Sequence, residues 1–144
     1  MPDKAILIPA ALLVVWTMVM AIWMLVDRAG TFSAMKLDPS KIEPGLRGSD
    51  LQKMLPPGRR DWPAHNYAHL MEQPTVYYAA VIMLSIGGPT GYDKVLAWAY
   101  LALRVVHSVY QARINIVKVR AMIYVVSTLV MAILSVRALL SVLN

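Results

Sequence analysis

Long apolar runs alternate with polar segments along the chain. Residues 5–26 form an unbroken stretch of 22 positions without a charge. At about 1.5 Å of rise per helical residue, such a stretch crosses a hydrocarbon layer of roughly 30 Å. Three further apolar segments occupy about 63–86, 94–112 and 119–142. The pattern predicts an all-α fold, a single integral membrane domain (1–144) built as a four-helix bundle.

The longest polar segment, residues 27–62, is rich in glycine and proline, which is typical of loops and turns. Within it, Ser49-Asp50 predicts the cap of a short amphipathic turn over 51–55, lying on the membrane surface. The connection at 113–118 is short. It forces the last two apolar helices into an antiparallel hairpin.

Composition supports a membrane protein and excludes several other classes. Hydrophobic residues make up 58% of the chain and charged residues 15%, which is too apolar for the interior that a soluble domain of this size can build. There is no cysteine, so disulfides, thiolate metal sites and a cysteine nucleophile are excluded. The net charge of +6 is not accompanied by a basic stripe interleaved with aromatics, so no nucleic-acid partner is expected.

The distribution of Lys and Arg predicts the orientation in the bilayer. The segment 27–62 holds seven of these residues and the segment 113–120 holds three, whereas only Lys4 and Lys94 lie on the opposite side. Cytoplasmic loops carry the excess of basic residues. We therefore expect a multi-pass protein with cytoplasmic loops 27–62 and 113–118 and with both termini on the non-cytoplasmic side.

Two ionisable residues lie inside the second and third apolar segments. Glu72 and Arg104 are each roughly 12 Å from the predicted cytoplasmic end of their helix. A lone charge at that depth costs about 2.5–3.5 kcal/mol, so we predict an ion pair between them. His65 and His69 precede Glu72 at helical spacing and share its face.

The third apolar segment carries a matching polar stripe. Tyr100, Arg104, His107 and Gln111 recur at helical spacing, so the two stripes can face each other. In the second segment Pro74 lacks a backbone donor and crowds the preceding turn. A kink is therefore predicted near the polar cluster, with a carbonyl freed beside it.

Three other interpretations of these polar residues remain open. The stripes can serve only to fix helix packing. His65, His69 and Glu72 have the side chains of metal ligands, but no zinc signature accompanies them, so no metal is expected. A proton relay through Glu72 and His107 is chemically possible, although the first and last helices lack ionisable groups at that depth.

A polar cluster lies where the third and fourth apolar segments meet. It consists of Arg113, Asn115, Lys118 and Arg120. Such a cluster can set topology and contact lipid headgroups, or it can cradle an anionic ligand through the forked guanidinium groups. Arg137, near the other end of the fourth segment, is expected to reach the interface as an anchor.

The polar motifs together resemble the membrane-associated proteins in eicosanoid and glutathione metabolism, the MAPEG family. The resemblance covers about 61–135 and would make the chain a divergent, bacterial-type member. It is carried by residues 66–78 (NYAHLMEQPTVYY), by residues 97–108 (AWAYLALRVVHS), by Asn115 with Arg120, and by Ser127 in the fourth segment.

The resemblance implies a homotrimer with ligand bound between neighbouring subunits near the cytoplasmic side. It also implies a glutathione-dependent transferase or peroxidase acting on small lipophilic electrophiles, with glutathione as co-substrate. Arg120 matches the arginine that stabilises the glutathione thiolate, with Arg113 as the second choice. The candidate ligand contacts are His65, His69, Glu72, Arg104, His107, Gln111, Arg113 and Asn115.

The sequence departs from the family pattern at three of these positions. His65 stands where glutathione-binding members carry Arg, His69 where they carry Asn, and Gln111 where a tyrosine is expected. The carboxylates of glutathione need charged partners in a partly desolvated site. The alternative is therefore a non-catalytic membrane protein that binds a lipid or an anionic metabolite, in which the same polar residues serve packing and assembly.

Overall fold

A computed structural model of the protein describes residues 2–36, 38, 40, 42 and 44–143, apart from the side chain of Ser49. This part of the chain is helical and contains no β-strand. Its helices are α1 (Leu7–Ala34), α2 (Gly48–Met54), α3 (Trp62–Glu72), α4 (Pro74–Gly87), α5 (Gly91–Arg113) and α6 (Val117–Leu143).

The second apolar segment forms two helices instead of one. Helix α3 ends at Glu72 and α4 begins at Pro74, with Gln73 between them. Proline has no backbone N–H and cannot continue the hydrogen-bonding pattern of the preceding turn. The predicted kink is confirmed.

Helix α1 continues beyond the predicted boundary at residue 26, so the assignment of 27–34 to a loop was wrong. Two contacts from the polar segment hold these extra turns. Arg28 Nη2 lies 2.8 Å from Asp61 Oδ2, and Arg59 Nε donates to Thr31 Oγ1 at 3.2 Å. Hydropathy does not reveal such contacts, because they join residues about thirty positions apart.

The short amphipathic element predicted over 51–55 is present as α2, which starts at Gly48. The N-cap is Arg47, whose backbone N–H donates to Asp50 Oδ2 at 3.3 Å, so Asp50 contributes to the cap from the third helical position and not from a position before the helix. The predicted contribution of the Ser49 side chain lies outside the described residues.

Helices α4 and α5 each contact both α1 and α6, and α3 packs on α1 and α5. The buried centre is apolar with a few large aromatic residues. Tyr77 of α4 stacks on Tyr100 of α5 with the ring centroids 4.3 Å apart. The Tyr77 hydroxyl donates to the carbonyl of Ala97 at 3.0 Å, which satisfies the polar end of a buried ring.

The outer surface is strongly apolar along α1 and α6. These two described helices are long and apolar enough to cross a membrane, and only 33% and 17% of their most apolar windows are buried. The core helix of a soluble protein would hide most of such a surface. The molecule therefore has membrane-capable helices, while four crossings stay a prediction.

Arg137 of α6, which was predicted only to anchor the helix at the interface, makes contacts with another helix. Its Nε donates to Asp93 Oδ1 at 2.8 Å and its Nη2 donates to Asp93 Oδ2 at 3.0 Å. Asp93 also accepts the backbone N–H of Thr90 at 2.8 Å, in a capping box that starts α5. Arg137 thus joins the end of α6 to the beginning of α5.

Candidate functional site

A layer of polar side chains lies where α3 gives way to α4. Its centre is Arg104 of α5, which is 0% exposed. Arg104 Nη1 donates to Gln73 Oε1 at 3.0 Å, and Nη2 donates to the carbonyl oxygen of His69 at 2.9 Å. Carbonyls in the last turn of a helix lack a full set of intrahelical donors. The interruption before Pro74 therefore supplies an acceptor for the buried guanidinium.

The predicted ion pair between Glu72 and Arg104 was wrong. The Glu72 side chain is 72% exposed and its Oε2 lies 3.6 Å from His69 Nδ1. Neutral oxygens of Gln73 and His69 solvate Arg104 instead. Burying a carboxylate as well would add a desolvation cost that neutral acceptors avoid.

Gln73 was not among the predicted site residues. Its Oε1 accepts from Arg104, and its amide Nε2 donates to Thr128 Oγ1 at 2.6 Å. Thr128 in turn donates to the carbonyl of Tyr124 at 2.8 Å. One amide thus joins α5 to α6 at the helix interruption. Its position directly before Pro74 was a usable signal, because it is a polar residue at the predicted kink beside the polar cluster.

Three rings meet beside this layer. His69 and His107 approach edge to face with centroids 6.3 Å apart. Tyr124 of α6 lies 6.4 Å from the His69 ring and 6.0 Å from the His107 ring. Tyr124 was not predicted, although it follows Arg120 by one helical turn and therefore shares its face.

Arg120 is positioned by the turn between α5 and α6. Its Nη1 donates to Asn115 Oδ1 at 2.7 Å. Asn115 has a φ of 57°, and its backbone N–H donates to the carbonyl of Tyr110 at 2.9 Å. Asparagine is one of the few residues that adopt this left-handed conformation readily. The same residue therefore ends α5 and orients the arginine.

Some of the predicted contacts lie away from this face. Gln111 is 0% exposed, and neither of its amide atoms has a partner among the residues that the structure describes. His65 Nε2 lies 2.6 Å from Gln52 Oε1, which ties α3 to α2. The Arg113 guanidinium stacks over the Trp23 ring of α1 at 4.8 Å. These three side chains are engaged or enclosed within the protomer.

The remaining predicted residues are brought together. They are His69 and Glu72 on α3, His107 on α5, Asn115 in the turn after α5, and Arg120 on α6. Arg120 is within electrostatic range of both histidines. Within the described ranges no group of three or more His, Asp or Glu side chains is placed to hold a metal ion. The arrangement offers a cation, imidazole and phenol donors, and a carboxylate.

A family model, that of the MAPEG family, matches residues 6–140. The chain belongs to the MAPEG family. Its membership makes it a membrane-associated protein, in keeping with the apolar faces of α1 and α6. The MAPEG family includes glutathione-dependent transferases and peroxidases. No curated protein and no solved structure matches this MAPEG chain.

Proposed function

We propose that this MAPEG protein is a membrane-embedded glutathione-dependent transferase or peroxidase for lipophilic electrophiles. The observation that carries the proposal is Arg120, held by Asn115 at 2.7 Å at the start of α6. Asn115 occupies one of its N–H groups, so other guanidinium donors are free to meet a thiolate. Tyr124 and His69 lie on the same side of the protomer.

The proposed site is completed by a second protomer of a homotrimer of four-helix subunits. Glu72 is 72% exposed and the Tyr124 side chain is partly exposed, so this polar face opens to the outside of the protomer. Exposed Met122, Val125 and Val126 adjoin it on α6. A lipophilic substrate can therefore reach the polar group from an apolar surface.

Arg120 acts on the thiol of glutathione. A guanidinium within about 4–6 Å lowers the pKa of a thiol by roughly 1–3 units, because it stabilises the thiolate. The thiolate attacks an electrophilic carbon, forms the C–S bond and expels the leaving group with its electron pair. With a hydroperoxide it attacks the distal oxygen, the O–O bond breaks to release the alcohol, and the glutathione sulfenic acid that forms condenses with a second glutathione to give the disulfide and water.

The test is a calorimetric titration of the detergent-purified protein with glutathione at low salt. Wild-type protein is expected to bind saturably, and Arg120→Ala is expected to lose that binding. Arg120→Lys keeps a cation without the fork and should bind more weakly than wild type. The rate of conjugation to an aryl chloride should depend on the fraction of glutathione present as thiolate. The midpoint of its pH dependence should therefore be higher in Arg120→Ala than in wild type, by about 1 pH unit or more.

Arg47→Ala is the matched control, since Arg47 lies at the exposed start of α2, away from the proposed site. It removes the same charge and should leave binding and turnover unchanged. Equal turnover in Arg120→Ala and wild type would remove Arg120 from the mechanism.

A second candidate function is non-catalytic binding of an anionic metabolite or lipid at the same face. It is favoured by the scarcity of free cations at this face, where Arg104 is enclosed and His65 bonds Gln52, so that Arg120 alone suits a ligand with a single acidic group. Glutathione carries two carboxylates that need such partners. Absence of glutathione binding up to millimolar concentration, in a protein that keeps its fold, would select this candidate.

A further inference from the structure

A cavity lies on the opposite side of α5 from the candidate site. It is open, has a volume of about 270 Å³, and is formed by α1, the start of α3 and the end of α5 near the predicted cytoplasmic loops. Its lining residues are Trp23, Asp27, Arg60, Trp62, Pro63, Ala112 and Arg113.

Two arginines in this cavity are held by stacking. The Arg60 guanidinium carbon lies 4.8 Å from the centre of the Trp62 ring, and that of Arg113 lies 4.8 Å from the centre of the Trp23 ring. Stacking fixes the plane of a guanidinium and leaves its N–H groups available at the edge. Neither guanidinium donates a hydrogen bond to any other described residue. Two oriented sets of donors therefore face one cavity.

The cavity also contains a carboxylate. The neighbouring Arg28 is engaged with Asp61 at 2.8 Å and does not neutralise Asp27. The Asp27 side chain has no ion pair with a described residue. The lining thus combines two cations and one anion, which complements a ligand that carries a phosphate and an ammonium group.

The depth of the cavity indicates where such a ligand would come from. Asp27 directly follows the apolar run of residues 5–26, and tryptophans such as Trp23 and Trp62 favour the boundary between membrane and water. Phospholipid headgroups lie at this level.

We propose that this cavity binds the headgroup of an aminophospholipid of the phosphatidylethanolamine type. Arg60 and Arg113 bind the phosphate, and Asp27 binds the primary ammonium. The site is separate from the face that carries Arg120, so the inference stands independently of the proposed glutathione chemistry.

The test is native mass spectrometry of the detergent-purified protein titrated with short-chain lipids at constant ionic strength. The probes are dihexanoyl phosphatidylethanolamine, phosphatidylglycerol and phosphatidylcholine, together with inorganic phosphate. Wild-type protein should bind the ethanolamine lipid most tightly. Asp27→Asn should weaken that binding by about tenfold, to the level of phosphatidylglycerol, while Asp27→Glu should keep the preference.

The double variant Arg60→Gln/Arg113→Gln should weaken the binding of both phosphatidylethanolamine and phosphatidylglycerol by about tenfold or more. The control Arg47→Gln/Lys53→Gln removes the same charge from α2 and should change neither affinity. Unchanged helical circular dichroism and thermal unfolding show that each variant is folded.

An absence of preference for the ethanolamine lipid in wild type would overturn the proposal, and so would an Asp27→Asn variant that keeps the preference. Binding of inorganic phosphate as tightly as the lipid would reassign the cavity to free anions.

Discussion

The two ends of the helical assembly handle charge differently. At the end that holds Asp93 and Lys94, which we name the paired end, Arg137 bonds Asp93 at 2.8 Å and Lys94 bonds Asp3 at 2.7 Å. The hydrogen bond and the charge of Lys94 lower the pKa of the Asp3 carboxyl. These groups satisfy one another within the protomer.

The opposite end, which we name the open end, also has ion pairs, Arg28 with Asp61 and Lys53 with Asp50, but it leaves other cations without carboxylate partners. Arg60 and Arg113 stack on tryptophans, and Arg120 bonds the Asn115 amide. None of these three arginines has an ion pair with a described residue. An arginine whose N–H groups have no partner within the protomer can donate them to an anionic ligand. The comparison therefore supports the proposal that ligands bind at the open end.

Close helix packing occurs at the paired end, but the presence of a cavity does not distinguish the two ends. At the paired end α4 and α6 come so close that a Cβ on Gly87 would lie 2.8 Å from the Ser141 carbonyl oxygen. Both ends nevertheless have an open cavity, of about 340 Å³ beside Asp93 and Arg137 at the paired end and of about 270 Å³ at the open end. Close helix contact through small residues is a common means of stabilising membrane helices.

The largest effect is expected for Arg104→Ala, in the layer between the two ends. The variant loses two hydrogen bonds from a buried guanidinium, to Gln73 and His69. Hydrogen bonds to charged groups contribute about 1.5–3 kcal/mol each, so the free energy of unfolding should fall by about 3 kcal/mol or more. Denaturant unfolding in mixed micelles, followed by circular dichroism, measures the loss.

The control is Arg113→Ala, an arginine of the same helix at the open end. It loses one stacking contact with Trp23, which contributes about 0.5–1 kcal/mol. Equal destabilisation by the two variants would contradict the division between fold-holding and ligand-receiving charges.

A smaller loss is expected for Gly87→Ala at the paired end. The new methyl group would collide with backbone and side-chain atoms of Ser141, and overpacking of this kind costs about 1–3 kcal/mol. Gly91→Ala is the matched control, because nothing lies within 4 Å of the position that its new methyl group would take. The same unfolding measurement should show little change or a gain there. A neutral Gly87→Ala would mean that α4 and α6 can separate without cost.

The sequence was sufficient to predict the helical elements and the interruption before Pro74, because hydropathy and the missing backbone donor of proline are local properties. It was insufficient for the extra turns of α1. These turns depend on the contacts of Arg28 with Asp61 and of Arg59 with Thr31, and neither contact leaves a periodic signal.

The site was predicted in part. Helical spacing correctly placed His69 near His107, whose rings lie 6.3 Å apart. The same spacing failed at Glu72, because that residue ends α3 and its side chain turns outward. The prediction assumed that a buried arginine needs a carboxylate. The side-chain oxygen of Gln73 and the backbone carbonyl of His69 solvate the charge instead.

The smallest effect is a coupling energy, and it distinguishes an Arg104 paired with Glu72 from an Arg104 solvated by Gln73 and His69. In a double-mutant cycle on the free energy of unfolding, Glu72→Gln and Arg104→Gln should show a coupling below about 0.5 kcal/mol, as expected for residues that share no contact. Gln73→Ala with Arg104→Gln should instead couple by about 0.5–3 kcal/mol, because their side chains bond at 3.0 Å. Arg104 is 0% exposed, so a neighbouring subunit cannot supply Glu72 as its partner. A large coupling in the first cycle would restore the ion pair, and it would mean that the helix interruption at Gln73 does not isolate Glu72 from the buried layer.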